Sequence, residues 1–305
     1  MKNRNSAILT LFCCCLVLLA NTGCCMGSRI VIRGTGQGSP QAILPPSSDY
    51  ELVSLRTKDD TKIVAQFGKA KSQSGALLAD HCQRPTAIYC YPGGGNMRWS
   101  APQFDGFRRL GLNVVMPEYP GFGMSDGRPA ESGCYGAADA AYDYVLSRSD
   151  LSHSPPFAAG WSVGGAAAVD LASRRRVAGL IMVETLPNWN ESGRYFARNG
   201  AARLPGMPSW AAVALRSIPS WALGLLVSEP KLNSLAKVPL VSSPILMVFG
   251  TKSELVSKEM TDRLAAAAKT EVTLLPVEGA GHFDVFTTGG TGLWQSINDW
   301  IASHR

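Results

Sequence analysis

The chain has 305 residues, 46% of them apolar, and a formal net charge of +6. That length and apolar content suffice for one large buried core. They exclude a disordered or collagen-like chain, and the modest, dispersed positive charge argues against a nucleic-acid surface. The one tight basic run, Arg174 to Arg176, follows an alanine-rich segment and suits a helix C-terminus, where cations meet the negative end of the helix dipole.

The first residues read as an export signal. Met1 to Arg4 is short and basic, Ala7 to Ala20 is apolar, and Asn21, Thr22 and Gly23 lead to Cys24. The apolar run is shorter than the roughly 20 residues of a usual membrane-spanning helix. Thr22-Gly23-Cys24 resembles a bacterial lipoprotein cleavage site, with Cys24 the residue to be lipidated, although Asn21 stands where an apolar residue is customary. Residues 1–24 are thus expected to be a signal peptide or lipoprotein signal. Residues 25–48, with their glycines, serines and Pro45-Pro46, are expected to be a flexible tether. The protein is expected to be exported, either periplasmic, anchored to a membrane through its N-terminus, or secreted.

Residues 49–305 form one domain in which short apolar runs alternate with helical patterns. In chain order these are a strand at Thr86–Cys90, a helix at Phe104–Leu110 and a strand at Asn113–Met116. A helix at Tyr135–Ser147 and a strand at Pro156–Ala159 follow, then a helix at Val163–Ser173, a strand at Gly179–Val183, and later strands at Val241–Gly250 and Val272–Leu275. Alternation of this kind gives an α/β fold with a mostly parallel sheet covered on both faces. The rhythm lapses over about 186–238, read as an inserted helical cap carrying Trp189, Trp210 and Trp221 and an apolar stretch, Ala211 to Val227.

Within this frame one hexapeptide stands out: Gly160, Trp161, Ser162, Val163, Gly164, Gly165. A strand precedes it and a helix follows. Glycines two residues on either side of a serine permit a turn too sharp for larger side chains. The turn would push Ser162 out at the top of the sheet, against the positive end of the next helix. A nucleophilic serine needs a general base, and only four histidines compete. His81 and His153 lie in polar loops and His304 is the penultimate residue. His282 sits in the glycine-loosened loop Gly279 to Asp284, after a strand and late in the chain, and is the expected base. The third member is an acid on a loop between serine and histidine in chain order. Glu254, in the loop after Val241–Gly250, is the expected acid; Glu184, at the end of Gly179–Val183, is the alternative.

These residues resemble the α/β-hydrolase superfamily, and within it the branch of small serine hydrolases that includes lipid hydrolases and protein depalmitoylases. The likeness runs from about Tyr50 to Ile301. Tyr91-Pro92-Gly93-Gly94-Gly95-Asn96 matches the family's oxyanion-hole loop, and Glu118 to Ser125 matches the loop after its fourth strand. Gly250-Thr251-Lys252 and Glu254-Leu255-Val256 match its acid loop. The chain departs from the family at Ser253, where the triad aspartate usually stands. It departs again at Tyr91-Pro92, which replaces the usual His-Gly. Proline has no N–H to donate. The resemblance therefore implies that the oxyanion donors are the amides of Gly93 or Gly94 together with Val163.

The implied activity is cleavage of a carboxylic ester or thioester of a small-molecule or lipid acyl substrate through an acyl-enzyme intermediate. No phosphate loop, dinucleotide fingerprint or metal-spaced cysteine set is present, so no cofactor and no metal are expected. Two other readings stay open: a catalytically degenerate relative that binds a ligand, prompted by Ser253, and a hydrolase of amide or peptide bonds. Of the cysteines beyond the leader, Cys82 and Cys134 could pair in an oxidising compartment, but their spacing does not demand it.

Overall fold

The computed structural model describes residue 32 and residues 36–199 and 231–304. The leader over 1–24, Cys24, and most of the expected cap, including Trp210 and Trp221, lie outside the described residues. Among the described residues no helix is long and apolar enough to cross a membrane.

Eight strands form one sheet: β1 (Glu51–Arg56), β2 (Lys62–Gly68), β3 (Thr86–Cys90), β4 (Asn113–Pro117), β5 (Phe157–Trp161), β6 (Leu180–Val183), β7 (Ile245–Gly250) and β8 (Val272–Val277). Their order across the sheet is β1-β2-β4-β3-β5-β6-β7-β8. β1 and β2 pair antiparallel, as do β2 and β4, and from β4 to β8 every pairing is parallel. The residue patterns explain the positions. β3, β4, β6 and β7 are buried at every residue, as parallel strands covered on both faces must be. The edge strands β1 and β8 instead keep exposed positions along their length.

Helices α1 (Ala101–Arg109), α2 (Glu131–Ser147) and α3 (Val163–Ala172) follow β3, β4 and β5. α4 (Trp189–Asn199) and the short α5 (Ser234–Lys237) lie between β6 and β7, while α6 (Lys258–Ala267) and α7 (Val285–Ser303) follow β7 and the loop after β8. α3 is buried at all of its positions, because its alanines and glycines let it lie close against the centre of the sheet. α1 meets α7 through an edge-to-face contact of Phe107 with Trp294, centroids 5.3 Å apart. α2 is tied to the turn after α3 through Asp139 and Arg174, 3.1 Å apart.

The tether expected over 25–48 is corrected over its second half. Gly38 N–H donates to Gly123 O at 2.8 Å, the Gln37 amide donates to Ser125 O at 3.0 Å, and Arg98 donates to Pro40 O at 3.3 Å. Ala42 and Leu44 are buried with the core. The segment therefore packs on the body, because its few apolar residues find a place beside the loop after β4. The contemplated cysteine pair is absent: Cys82 is an exposed free thiol, whereas Cys134 is free and buried in α2. Of the cap, α4 and α5 are the described elements.

Candidate active site

Parallel strands running in one direction deliver the loops after β3, β5, β6, β7 and β8 to a common sheet edge, the place where α/β folds assemble their sites. The loop between β5 and α3 places Ser162 there. Ser162 has φ +57° and ψ −118°, a left-handed conformation that costs a non-glycine residue of order 1–3 kcal/mol. The flanking glycines are required by close approach. A Cβ on Gly160 would lie 2.1 Å from Gly164 O, and one on Gly164 would lie 2.0 Å from Cys90 O. Both obstacles are backbone and cannot move aside.

Ser162 Oγ donates to His282 Nε2 at 2.9 Å. On the other side of the ring, His282 Nδ1–H donates to Glu184 Oε2 at 2.8 Å. These two bonds together assign the tautomer, with the proton on Nδ1 and the lone pair on Nε2 facing the serine. All three side chains are buried.

Glu184 immediately follows β6 and also has a positive φ, +48°. Its N–H donates to Val248 O at 2.8 Å, which carries the sheet ladder through the bend. Its carboxylate accepts three bonds: from His282 Nδ1–H, from Gly250 N–H, and from Ser253 Oγ–H at 2.6 Å. The Ser253 hydroxyl accepts in turn from Val256 N–H at 3.1 Å. Ser253 thus occupies the family's acid position but acts as a donor toward a carboxylate supplied by the neighbouring strand.

Glu254, the acid favoured from sequence, is elsewhere. Its carboxylate accepts from the backbone N–H of His282 at 3.1 Å and does not reach the ring. The correction follows from loop direction. After Gly250 the chain turns so that Ser253 points inward, buried, and Glu254 lies against the outside of the histidine loop. Of the two acids weighed from sequence, the structure brings Glu184 to the imidazole. A second tie on that loop was not foreseen: Trp161 Nε1–H donates to His282 O at 3.2 Å.

The glycine loop after β3 lies opposite. Gly95 N–H donates to Pro92 O at 3.0 Å, closing a tight turn with Gly93 and Gly94 at its centre. Gly93, Gly94 and Val163 line the same cavity as Ser162 and His282. Behind this loop is a residue that sequence reasoning quoted but gave no role. Glu118 is fully buried, and its carboxylate accepts from Met124 N–H at 2.6 Å and Met97 N–H at 3.4 Å. Burial pushes its carboxyl up to about 7 against the pull of those two amides. Its position just after a strand, in a glycine-rich loop, was the only available signal.

The cavity over the serine encloses about 710 Å³. Trp99, Trp161, Leu186, Trp189, Phe196 and Phe283 give it a mainly apolar wall, and Trp99 and Phe283 are largely exposed. The size and character are those of a small-molecule site. Among the described residues no cluster of histidine, cysteine or carboxylate side chains could hold a metal ion.

Comparison with known proteins agrees with this architecture. A family model described as alpha/beta hydrolase fold matches residues 87–212. An uncharacterized protein of Mycobacterium tuberculosis is 29% identical over 264 residues, covering 86% of this chain and 82% of its own. The alpha/beta hydrolase domain-containing protein WAV2 of Arabidopsis thaliana is 25% identical over 256 residues, covering 81% of this chain and 77% of its own. Among solved structures, an esterase of Pyrococcus furiosus superimposes with a TM-score of 0.66 at 15% identity, covering 87% of this chain and 96% of the other. The strand order, the serine turn between β5 and α3, and these likenesses give the chain the α/β-hydrolase fold.

Proposed function

We propose that the protein is a serine hydrolase that cleaves carboxylic esters or thioesters of acyl substrates through an acyl-enzyme intermediate. The observation that carries this reading is the unbroken chain Ser162 Oγ, His282, Glu184, with links of 2.9 and 2.8 Å, at the floor of an apolar cavity. In this mechanism Ser162 Oγ attacks the acyl carbonyl while Nε2 of His282 takes its proton. Glu184 stabilises the imidazolium that results. The oxyanion is received by the amides of Val163 and Gly93, with Gly94 as the neighbouring donor on the same turn; one such donor contributes about 3 kcal/mol. Protonation of the leaving alcohol or thiol by His282 leaves the acyl group on Ser162, and water then attacks by the same route in reverse.

The degenerate-enzyme reading rested on the missing carboxylate at Ser253. The carboxylate of Glu184 at His282 Nδ1 supports the catalytic reading over that one. The apolar wall supports an acyl chain as the bound group. Labelling with a fluorophosphonate probe tests the proposal: the wild-type protein is expected to label, and Ser162→Ala and His282→Ala are not. A well-folded wild type that fails to label would overturn it. On the sequence of residues 1–24 we also propose an exported location, checked by whether Cys24→Ala releases the protein from the membrane fraction.

A further inference from the structure

Among the described residues one charged side chain stands in the cavity wall. Arg194 lines it, on α4, together with Trp189, Asn190 and Gly193. Residues 189 and 193, and 190 and 194, are one helical turn apart, so they present a single face of α4 to the cavity. Arg194 is half-buried. It makes no ion pair or hydrogen bond among the described residues, in contrast to Arg108, Arg174 and Arg263, each of which is held by a carboxylate. The nearest acid on its own helix, Glu191, is engaged by Arg263 and by the amide of Asn188. Among the described residues no carboxylate lines the cavity, and Glu184 is shut away behind the imidazole. A cation set into an apolar wall without a counter-charge is costly to desolvate, and that cost is recovered only when an anion arrives with the ligand.

From this we infer that Arg194 is a specificity-determining residue that recognises an anionic oxyacid group, carboxylate or phosphate, on the substrate. The inference rests on the serine hydrolase reading and narrows it to acyl substrates bearing such a group away from the scissile bond. The guanidinium suits this task because its planar fork pairs with two oxygens of one oxyacid. The surrounding aromatic wall strengthens the pairing by excluding water. A substrate with a positive charge at the same point is rejected for the same reason.

The test compares 4-nitrophenyl esters of equal length that end in a carboxylate, a phosphate or a methyl group, using the full chain in detergent. Wild type is expected to favour at least one anionic ester over the methyl-terminated one in kcat/KM. Which anion is favoured separates the carboxylate source from the phosphate source. Arg194→Gln is expected to lower kcat/KM for that anionic ester at least about tenfold, mainly through KM, and to change the neutral ester less than about twofold. Arg194→Lys is expected to retain part of the preference, since charge remains without the fork. Equal loss on charged and neutral esters, or a wild type that prefers the neutral ester, would overturn the inference. A binding measurement keeps it separate from the hydrolase reading. The non-hydrolysable 4-nitrophenyl ethers with the same three ends are titrated against the tryptophan fluorescence of the cavity. If Ser162 fails to label with fluorophosphonate but an anionic ether binds wild type more tightly than Arg194→Gln, the catalytic reading fails and the anion site stands. If no ether distinguishes wild type from Arg194→Gln, the anion site fails whatever the labelling shows.

Discussion

Ser253 donates its hydroxyl to the carboxylate of Glu184 at 2.6 Å, and that single bond joins the loop after β7 to the end of β6. The carboxylate at His282 comes from the end of β6, one strand over from the loop where the resemblance expects an aspartate. The carboxylate still meets Nδ1 of His282 because β6 and β7 are hydrogen-bonded neighbours whose ends are in register, Val183 beside Val248.

In the proposed mechanism Glu184 is the side chain whose loss matters most after Ser162 and His282. Glu184→Gln is expected to lower kcat by about 10⁴, because an amide donor facing Nδ1 favours the wrong tautomer. Glu254→Ala removes only a support of the histidine loop, and a loss below about 30-fold is expected. Ester hydrolysis at saturating substrate measures both. A larger loss at Glu254 than at Glu184 would return the acid to the loop after β7.

The closeness of the two positions invites a transfer of the carboxylate. In Glu184→Ser the triad lacks its acid; adding Ser253→Asp supplies a carboxylate from the other strand. The double variant is expected to recover at least about tenfold in kcat over Glu184→Ser, a coupling typical of residues acting as a unit. Ser253→Asp alone, with two carboxylates side by side, is expected to be worse than wild type. Additive effects would mean that the two positions do not share a task.

Gly164→Ala is expected to fail as a folded protein rather than as a catalyst. Its Cβ would stand 2.0 Å from a backbone oxygen of β3, so either α3 or the strand must shift. A loss of more than about 3 kcal/mol is expected. Urea unfolding, or recovery in the soluble fraction, provides the readout.

Glu118 makes stability depend on pH in an unusual direction. The ordinary glutamate value is 4.5, and burial raises the folded value to about 7. Between these values the unfolded chain has released a proton that the folded protein still holds. Stability contributed by this group is therefore complete below about pH 4.5 and is lost as pH rises to about 7, by about 3 kcal/mol at most. Glu118→Gln is expected to lack this fall, and midpoints of urea unfolding at pH 5 and pH 7.5 compare the two proteins. Identical slopes would place the proton elsewhere.

Among Cys82, Cys90 and Cys134, only Cys82 is expected to react with a thiol reagent in the folded protein. The other two are fully buried, and burial pushes the Cys90 thiol up to about 12. Peptide mapping after alkylation, with and without prior reduction, checks this. A Cys82–Cys134 peptide in the unreduced sample would show that the two can pair.

What the sequence disclosed and what it withheld have separate causes. The parallel core was legible because buried strands such as Ile245–Gly250 carry unbroken apolar runs. The serine turn was legible because close backbone approach leaves only glycine at Gly160 and Gly164. Ser162 and His282 could be paired by elimination among four histidines. The choice between Glu184 and Glu254 depended on which way each side chain points after a one-residue turn. No periodicity records that, and the positive φ of Glu184 has no mark in a residue such as glycine. The packing of residues 36–44 was hidden for a related reason: a glycine- and serine-rich composition reads as loose, yet three hydrogen bonds to the body and two buried side chains fix it.

That packed segment gives the amino-terminal end a mechanical link to the floor of the cavity that holds Ser162. Gln37 and Gly38 are fastened to Ser125 and Gly123, the same loop whose Glu118 is bonded to Met97 just beyond the glycine turn. The leading segment is thus joined, through the loop after β4, to the glycine turn that faces Ser162. Tension applied at that end would be shared between the glycine turn and β2, because Val64 N–H donates to Ser125 Oγ at 3.0 Å.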